Sequence, residues 1–143
     1  MVNIDINPDF GYVILAASGA FALNMWQSFR IGGARKRFGV KYPDMYSDKH
    51  PEFNCHQRVH QNTLEHVPFY LLTLLAAGIR FPLLASGCGG LWTAGRVLYT
   101  LQYGGKGPKY RVPGAVVTGV LGELPLLVLT VLVGLEMVGM IAL

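Results

Sequence analysis

The chain has 143 residues, enough for one modest domain, and it is 52% apolar and only 14% charged. Because soluble domains average about 25% charged residues, this composition excludes an ordinary soluble domain and favours lipid as the solvent. The positive charge is concentrated in two clusters, at 30–41 and 106–111, that flank apolar segments. We therefore predict membrane loops and no nucleic-acid partner.

Two apolar segments occupy the first half of the chain. The first, at about 10–30, is close to the ~20 residues that cross a bilayer. Asp5 and Asp9 precede it without any Lys or Arg. That is the wrong charge for a cleavable signal peptide, so we expect the span to remain as an anchor. The second segment, at about 53–80, is apolar only from Val67 onward. Its polar first half is expected at or beyond the edge of the hydrocarbon.

Two further apolar segments follow a tight turn at 80–82. The third runs from about 82 to 103, and the fourth covers about 112–142. Pro125 predicts a kink in the fourth segment. Together the segments predict an all-α fold, an integral membrane up-down four-helix bundle that forms a single domain over 1–143.

The Lys and Arg residues also predict an orientation. Loops 30–52 and 104–111 carry nearly all of them, and the other side of the bundle carries only Arg80. The positive-inside rule therefore predicts that these two loops are cytosolic and that both termini lie on the other side. The expected location is the endoplasmic reticulum membrane as a multi-pass protein, with the outer mitochondrial membrane as an alternative.

Polar residues in the second segment recur on one helix face. Arg58, Asn62, Glu65 and His66 follow at i, i+4, i+7 and i+8. Ionisable residues in a membrane span usually face a bundle interior or a cavity. Such a face suits a zwitterionic, peptide-like ligand, with Arg58 on a carboxylate and Glu65 on an ammonium group. The alternative is an Arg58–Glu65 ion pair that, with hydrogen bonds, holds helices together.

The third and fourth segments add further polar candidates. Arg96, Tyr99 and Tyr103 follow at i, i+3 and i+7, again on one face. An interfacial aromatic belt explains the tyrosines but does not require a buried cation. Glu123, close to Pro125, is either a subunit-interface or kink-capping residue, or a hint of a transporter.

The Cys and His residues of the sequence do not have the spacing of a metal site. Cys55 and Cys88 lie in different segments and lack zinc or CxxC spacing, so we expect two free thiols. His56 and His60 are spaced i, i+4, but no carboxylate follows as a third ligand at a fixed distance. We therefore predict that the protein uses no metal.

Two runs of the sequence resemble a known membrane family. Residues 51–68 and 95–103 resemble the second and third helices of the membrane-associated proteins in eicosanoid and glutathione metabolism, the MAPEG family. The runs 38–43 and 53–65 most resemble the type 3 microsomal glutathione S-transferase branch, and the similarity extends over about 10–140. The residues that carry it are Pro51, Glu52, Phe53, Arg58, His60, Asn62, Glu65 and Pro68, then Gly95, Arg96, Val97, Leu98, Tyr99 and Tyr103.

The resemblance implies a homotrimer that binds glutathione between neighbouring subunits, near the cytosolic side. It implies that Arg111 is catalytic and faces the glutathione sulfur. The implied glutathione-binding residues are Arg58, His60, Asn62, Glu65, His66, Tyr99 and Tyr103, with Arg35 donated by a neighbouring subunit. His60 stands where some relatives have Gln. His66 and Lys36 stand where leukotriene C synthase has a Tyr and a second Arg.

The chemistry of the residues agrees with this implication. A thiol with a pKa near 8.5 is only a few per cent thiolate at neutral pH. A guanidinium within ~4–6 Å favours the charged form and lowers such a pKa by about 1–3 units. Glutathione would thus supply the nucleophile itself, which requires no Ser, His and Asp arrangement in the protein. The side of the cleft that faces membrane lipid would admit an apolar electrophile or a lipid hydroperoxide.

Two other functions remain open at this point. The main alternative is a non-catalytic lipid-binding protein resembling the lipoxygenase-activating member of the family. A small transporter or purely structural bundle is the third possibility. The expected activity is that of a glutathione S-transferase, with peroxidase or leukotriene C synthase activity as further options.

Overall fold

The computed structural model describes residues 7–143, and the prediction made from Asp5 lies outside them. All regular structure in this range is helical, which confirms the all-α prediction. The helices are α1 (Phe10–Phe38), α2 (Pro51–Arg80), α3 (Pro82–Lys106), a 3₁₀ turn (Pro108–Tyr110), α4 (Val112–Val116), a π-helical stretch (Val117–Glu123) and α5 (Leu124–Met137). The last three are continuous and are called the fourth helix below.

A π-helical stretch lies just before Pro125, the residue at which the sequence predicted a kink. The amide of Leu124 donates to the carbonyl of Gly119, five residues back. A proline has no amide hydrogen, and its ring crowds the carbonyl four residues earlier, here that of Leu121. Wider π turns relieve this crowding and keep the helix continuous, and such turns are frequent at functional sites.

Neighbouring helices run in opposite directions, as predicted. A Cβ placed on Gly78, near the end of α2, would lie 2.9 Å from the side chain of Val13, near the start of α1. A single residue, Phe81, joins α2 to α3. A Cβ on Gly122 would lie 2.8 Å from Trp92, so the fourth helix approaches α3 at backbone distance. α3 packs against each of the other three helices and is the centre of the bundle.

The core has an aromatic layer and a polar layer. The Tyr70 and Trp92 rings stack with centroids 3.9 Å apart between α2 and α3. Further along, Nε2 of buried Gln27 donates to the hydroxyls of Thr63 (3.0 Å) and Thr100 (2.8 Å). These hydrogen bonds join α1 to α2 and α3. They also offset the cost of burying the Gln27 amide, since a buried polar group is costly unless it is hydrogen-bonded.

Large apolar side chains cover the outside of the bundle. Phe21, Phe29, Phe69 and Leu72 are each about two-thirds exposed or more. A soluble monomer rarely exposes apolar surface of this extent. Within the described residues, one helical segment, 108–137, is long and apolar enough to cross a membrane, and an 18-residue window within it has a mean hydropathy of 2.3. The first three helices have 29, 30 and 25 residues, or about 38–45 Å at 1.5 Å per residue.

Candidate functional site

The polar face of α2 forms an ion pair within the helix. Nη1 of Arg58 lies 3.1 Å from Oε1 of Glu65, and both side chains are almost half exposed, at 46% and 47%. Nδ2 of Asn62 lies 3.5 Å from the other Glu65 oxygen. The ion pair that the alternative requires is thus present, although within one chain both of its residues belong to α2.

The contact that joins α2 to α3 is made by Arg96. Its side chain is 3% exposed, and Nη1 donates to Oδ1 of Asn62 at 2.7 Å. The guanidinium also lies over the rings of Trp92 and Tyr99, at 5.3 and 5.6 Å from their centroids. A buried cation requires such partners, since an uncompensated charge is costly. Trp92 and Tyr99 therefore contact a buried cation, which residues of an interfacial aromatic belt are not required to do.

A polar cleft of about 240 Å³ opens between α2, α3 and the fourth helix. Its lining residues are Asn62, His66, Arg96, Tyr99, Arg111, Ala115, Thr118, Gly119 and Glu123. The Tyr103 ring meets that of Tyr99 edge to face, at 5.4 Å. The cleft thus gathers polar side chains that are far apart in the sequence.

A glycine sets the position of Arg111 at this cleft. A Cβ on Gly114 would collide with the backbone of Tyr99. Only the missing side chain lets the start of the fourth helix come this close to α3. Arg111, three residues earlier, is exposed and reaches the same cleft as Tyr99.

His66 and Glu123 form a further polar contact between helices, at the cleft. Nδ1 of His66 lies 3.0 and 3.1 Å from the two carboxylate oxygens of Glu123, and both side chains are partly exposed. Glu123 is the last residue of the π-helical stretch. The structure thus gives Glu123 a specific partner on α2.

Of the eight predicted glutathione contacts, only Asn62, His66 and Tyr99 line the cleft. Arg58, Glu65 and Tyr103 are not among its lining residues and adjoin them through the contacts described above. Arg35 and His60 lie elsewhere in the chain. Arg35, 8% exposed, donates to the carbonyl of Asp44 at 2.8 Å, and its guanidinium lies 4.1 Å from the Tyr42 ring centroid. His60 faces α1, with Nε2 3.1 Å from Oδ1 of Asn24. Neither residue lines the cleft of its own chain, and their glutathione contacts stay predictions.

Metal ligands are not grouped in the part of the chain that the structure describes. Residues 7–143 contain no cluster of three His, Cys, Asp or Glu side chains suited to a metal ion. The absence of a metal cofactor stays a prediction. Cys55 and Cys88 are both free thiols, as expected.

Comparison with known proteins decides the family. The sequence model of the MAPEG family matches residues 13–135. The chain belongs to the MAPEG family. This confirms the resemblance seen in the second and third helices and makes the chain a glutathione-related membrane protein.

Two relatives support the assignment. A probable microsomal glutathione S-transferase of Dictyostelium discoideum is 32% identical over 101 residues, which cover 68% of this chain and 66% of that protein. An uncharacterized protein of Synechocystis is 38% identical over 74 residues, which cover 51% of this chain and 53% of that protein. The matches thus span about two thirds and about half of the length of these relatives.

The cleft of this MAPEG protein also contains residues that the sequence analysis did not select. These residues are Ala115, Thr118 and Gly119, which line it from the fourth helix. One signal was available for the fourth helix. Gly114, Thr118 and Gly122 recur every four residues, the pattern of small residues where membrane helices approach closely.

Proposed function

We propose that this MAPEG protein is a membrane-bound glutathione transferase and peroxidase that acts on apolar electrophiles or lipid hydroperoxides, through a glutathione thiolate stabilised by Arg111. The observation that carries the proposal is that Arg111 shares one cleft with Tyr99 and the buried Arg96. Glutathione is the cosubstrate, and the mechanism needs no metal.

The charges around the cleft favour a thiolate. Arg96 and Arg111 contribute two permanent cations, because a guanidinium does not lose its proton in proteins. Glu123 contributes one carboxylate, which is engaged by His66. A nearby guanidinium lowers a thiol pKa by about 1–3 units, which makes much of the glutathione reactive at neutral pH.

The ion pair on α2 suits the ends of a zwitterionic tripeptide. Arg58 would bind a glutathione carboxylate, and Glu65 would accept from its ammonium group. Binding would replace the existing Arg58–Glu65 contact. Because an exposed ion pair contributes only about 0.2–1 kcal/mol, this exchange costs little. Asn62, already oriented by Arg96, would add a further hydrogen bond.

The size of the cleft supports a homotrimer with sites between subunits. Small-molecule pockets usually measure about 300–1,000 Å³, and the cleft of one chain measures about 240 Å³. A neighbouring subunit would complete the walls, and its Arg35 would supply the contact that is missing within one chain. The positions of the basic loops favour cytosolic loops in a multi-pass protein, which we place in the endoplasmic reticulum membrane. The runs 38–43 and 53–65 favour the type 3 microsomal branch.

An assay of the purified protein in detergent tests the proposal. Glutathione is supplied with chlorodinitrobenzene or with linoleic acid hydroperoxide. We expect enzyme-dependent formation of the conjugate and of the lipid alcohol, together with an ultraviolet thiolate signal when glutathione is added. Absence of both reactions and of the thiolate signal would overturn the proposal.

Non-catalytic lipid binding is the second candidate, and one observation favours it. An apolar groove of about 630 Å³ lies between α2 and the fourth helix and is larger than the polar cleft. A lipid-binding protein would bind a fluorescent fatty acid whether or not glutathione is present, and it would turn over neither substrate.

A further inference from the structure

The polar cleft continues into the apolar groove. The groove is lined by Phe69, Leu72, Thr73, Leu124, Leu127 and Thr130, and also by His66, Gly119 and Glu123. The last three residues line the polar cleft as well. His66 and Glu123 therefore form the boundary between a cationic, polar space and an apolar space of about 630 Å³.

The π-helical stretch determines which side chain reaches this boundary. Each residue advances an α-helix by about 100°, and the wider π turns change the register of the residues that follow. Glu123 ends the stretch and faces α2, where it meets His66. Gly119 leaves space beside the pair, since a Cβ placed there would meet nothing within 4 Å.

The contact also fixes the role of each ring nitrogen of His66. Both Glu123 oxygens lie at Nδ1, so Nδ1 carries a hydrogen and donates it to the carboxylate. Nε2 is the ring nitrogen not committed to Glu123. A carboxylate that accepts from Nδ1 in this way holds the imidazole in one tautomer and fixes the orientation of its ring.

We propose that His66, oriented by Glu123, donates the proton to the oxygen that leaves when glutathione reduces a lipid hydroperoxide whose acyl chain lies in the apolar groove. The inference rests on the proposed function and assigns the proton donor of its peroxidase reaction. It makes His66 a catalytic residue and Glu123 a positioning residue.

The reaction balances without any further oxidant or reductant. Arg111 stabilises the glutathione thiolate, whose proton goes to solvent, and Nε2 of His66 takes up a proton from solvent. The thiolate then attacks the terminal oxygen of the hydroperoxide, the S–O bond forms, and the O–O bond breaks. The departing alkoxide takes the proton from Nε2 and becomes the lipid alcohol. A second glutathione reduces the resulting sulfenic acid and yields glutathione disulfide and water.

Charged groups face His66 from each helix that packs around it. Arg96 and Tyr99 face it from α3, and Arg111 and Glu123 face it from the fourth helix. On α2, Glu65 is its neighbour in sequence. Only Glu123 is in hydrogen-bond contact with the ring in the part of the chain that the structure describes.

Two substrates separate proton donation from glutathione activation. Chloride leaves chlorodinitrobenzene without a proton, whereas an alkoxide leaving linoleic acid hydroperoxide requires one. General acid catalysis contributes about 100- to 10,000-fold. His66→Gln is therefore expected to lower hydroperoxide reduction by that factor and to lower chlorodinitrobenzene conjugation by far less.

The pH dependence of the two reactions distinguishes proton donation by His66 from a purely structural role of that residue. Wild-type reduction should rise with pH as the thiol ionises and should fall again as His66 loses its proton. The falling limb should be missing from wild-type conjugation and from reduction by His66→Gln. Glu123→Gln, which keeps the size of the side chain, should weaken reduction by a smaller factor.

The matched control is Glu136→Gln on the same helix. Glu136 pairs with Arg80 at 3.2 Å, at the other end of the bundle. Its loss should leave both reactions unchanged. Added imidazole should restore hydroperoxide reduction, but not conjugation, to the His66→Ala variant. This rescue experiment tests the proposal even if the His66→Gln variant is poorly folded.

The outcomes distinguish the two proposals. If the wild type catalyses neither reaction, the proposed function itself fails. If it catalyses both, and His66→Gln reduces the hydroperoxide at the wild-type rate, proton donation by His66 is overturned while the transferase function stands. Proton donation is overturned as well if both reactions fall equally and imidazole restores neither.

Discussion

Nη1 of Arg96 on α3 donates a 2.7 Å hydrogen bond to Oδ1 of Asn62 on α2. The bond orients the Asn62 amide, so that its Nδ2 points toward Glu65 at 3.5 Å. A buried cation in the core of the bundle is thereby connected to the exposed ion pair at the edge of the cleft. Groups held in place before a ligand arrives lose less conformational freedom when it binds.

The first prediction concerns the ion pair on α2. Arg58→Ala and Glu65→Ala should each raise the glutathione concentration needed for half-maximal activity, because each removes a charge-assisted contact with the ligand. Such contacts contribute about 1.5–3 kcal/mol, which corresponds to about 10- to 150-fold in affinity at 1.4 kcal/mol per decade. Isothermal titration with glutathione in detergent measures the change.

The matched control is Arg80→Ala, which breaks the ion pair with Glu136 away from the cleft. It should leave glutathione affinity unchanged. Wild-type affinity in either Arg58→Ala or Glu65→Ala would place the tripeptide elsewhere and would leave the pair a structural role only.

The sequence predicted the number and order of the helices well, but not all of their ends. The second and third helices were expected at about 53–80 and 82–103 and are found at Pro51–Arg80 and Pro82–Lys106. The first continues to Phe38 and not to about 30, because its last turns are basic. A count of apolar residues locates only the part of the helix that lies in the hydrocarbon of the membrane. The helix itself ends at Phe38, because the next residue, Gly39, has a φ of 68°.

Helical periodicity predicted some of the contacts among the candidate residues but not all of them. Asn62 and Glu65 lie on one face and meet, as their spacing requires. His60 lies two residues from Asn62, about 200° around the helix, and it faces α1. The pairing of His66 with Glu123 depends on the π turns, and no local pattern in the sequence reveals such a change of register.

The second prediction concerns the close approach of the fourth helix to α3. Gly122→Ala should destabilise the protein by about 1–3 kcal/mol, the usual cost of overpacking a core, because its Cβ would lie 2.8 Å from Trp92. Gly134→Ala on the same helix meets nothing within 4 Å. It should be neutral or should stabilise the helix by about 0.5–1 kcal/mol. Thermal unfolding followed by circular dichroism in detergent compares the two, and equal melting temperatures would contradict the packing described.

The third prediction concerns topology. We predict four spans with both termini on the lumenal side, because the basic loops 30–52 and 104–111 lie at the same end of the bundle. Tags at either terminus should resist protease in sealed microsomes and should be cleaved after detergent is added. A tag within loop 104–111 should be cleaved in both conditions. Cleavage of a terminal tag in intact vesicles would show that the predicted orientation is wrong.

The fourth prediction tests Arg111 as the group that stabilises the thiolate. Its alternative role is that of a basic residue that anchors the start of the fourth helix at the membrane surface. Its place in one cleft with Tyr99, and its permanent charge, favour catalysis. Arg111→Ala should therefore lower turnover far more than it weakens glutathione binding.

The same substitution should also abolish the ultraviolet thiolate signal, and the pH–rate profile should move toward the pKa of free glutathione, since the thiol then ionises without a nearby cation. Arg111→Lys should recover only part of each effect, because a point charge on a flexible stem does not reproduce the planar guanidinium. Lys109→Ala, two residues earlier and outside the cleft lining, is the control for loss of positive charge and should leave the thiolate signal intact. If Arg111→Ala retained normal turnover and a normal thiolate signal, the role would pass to another cation. Arg96, the buried guanidinium of the same cleft, would be the first to test, before Arg35 of a neighbouring subunit.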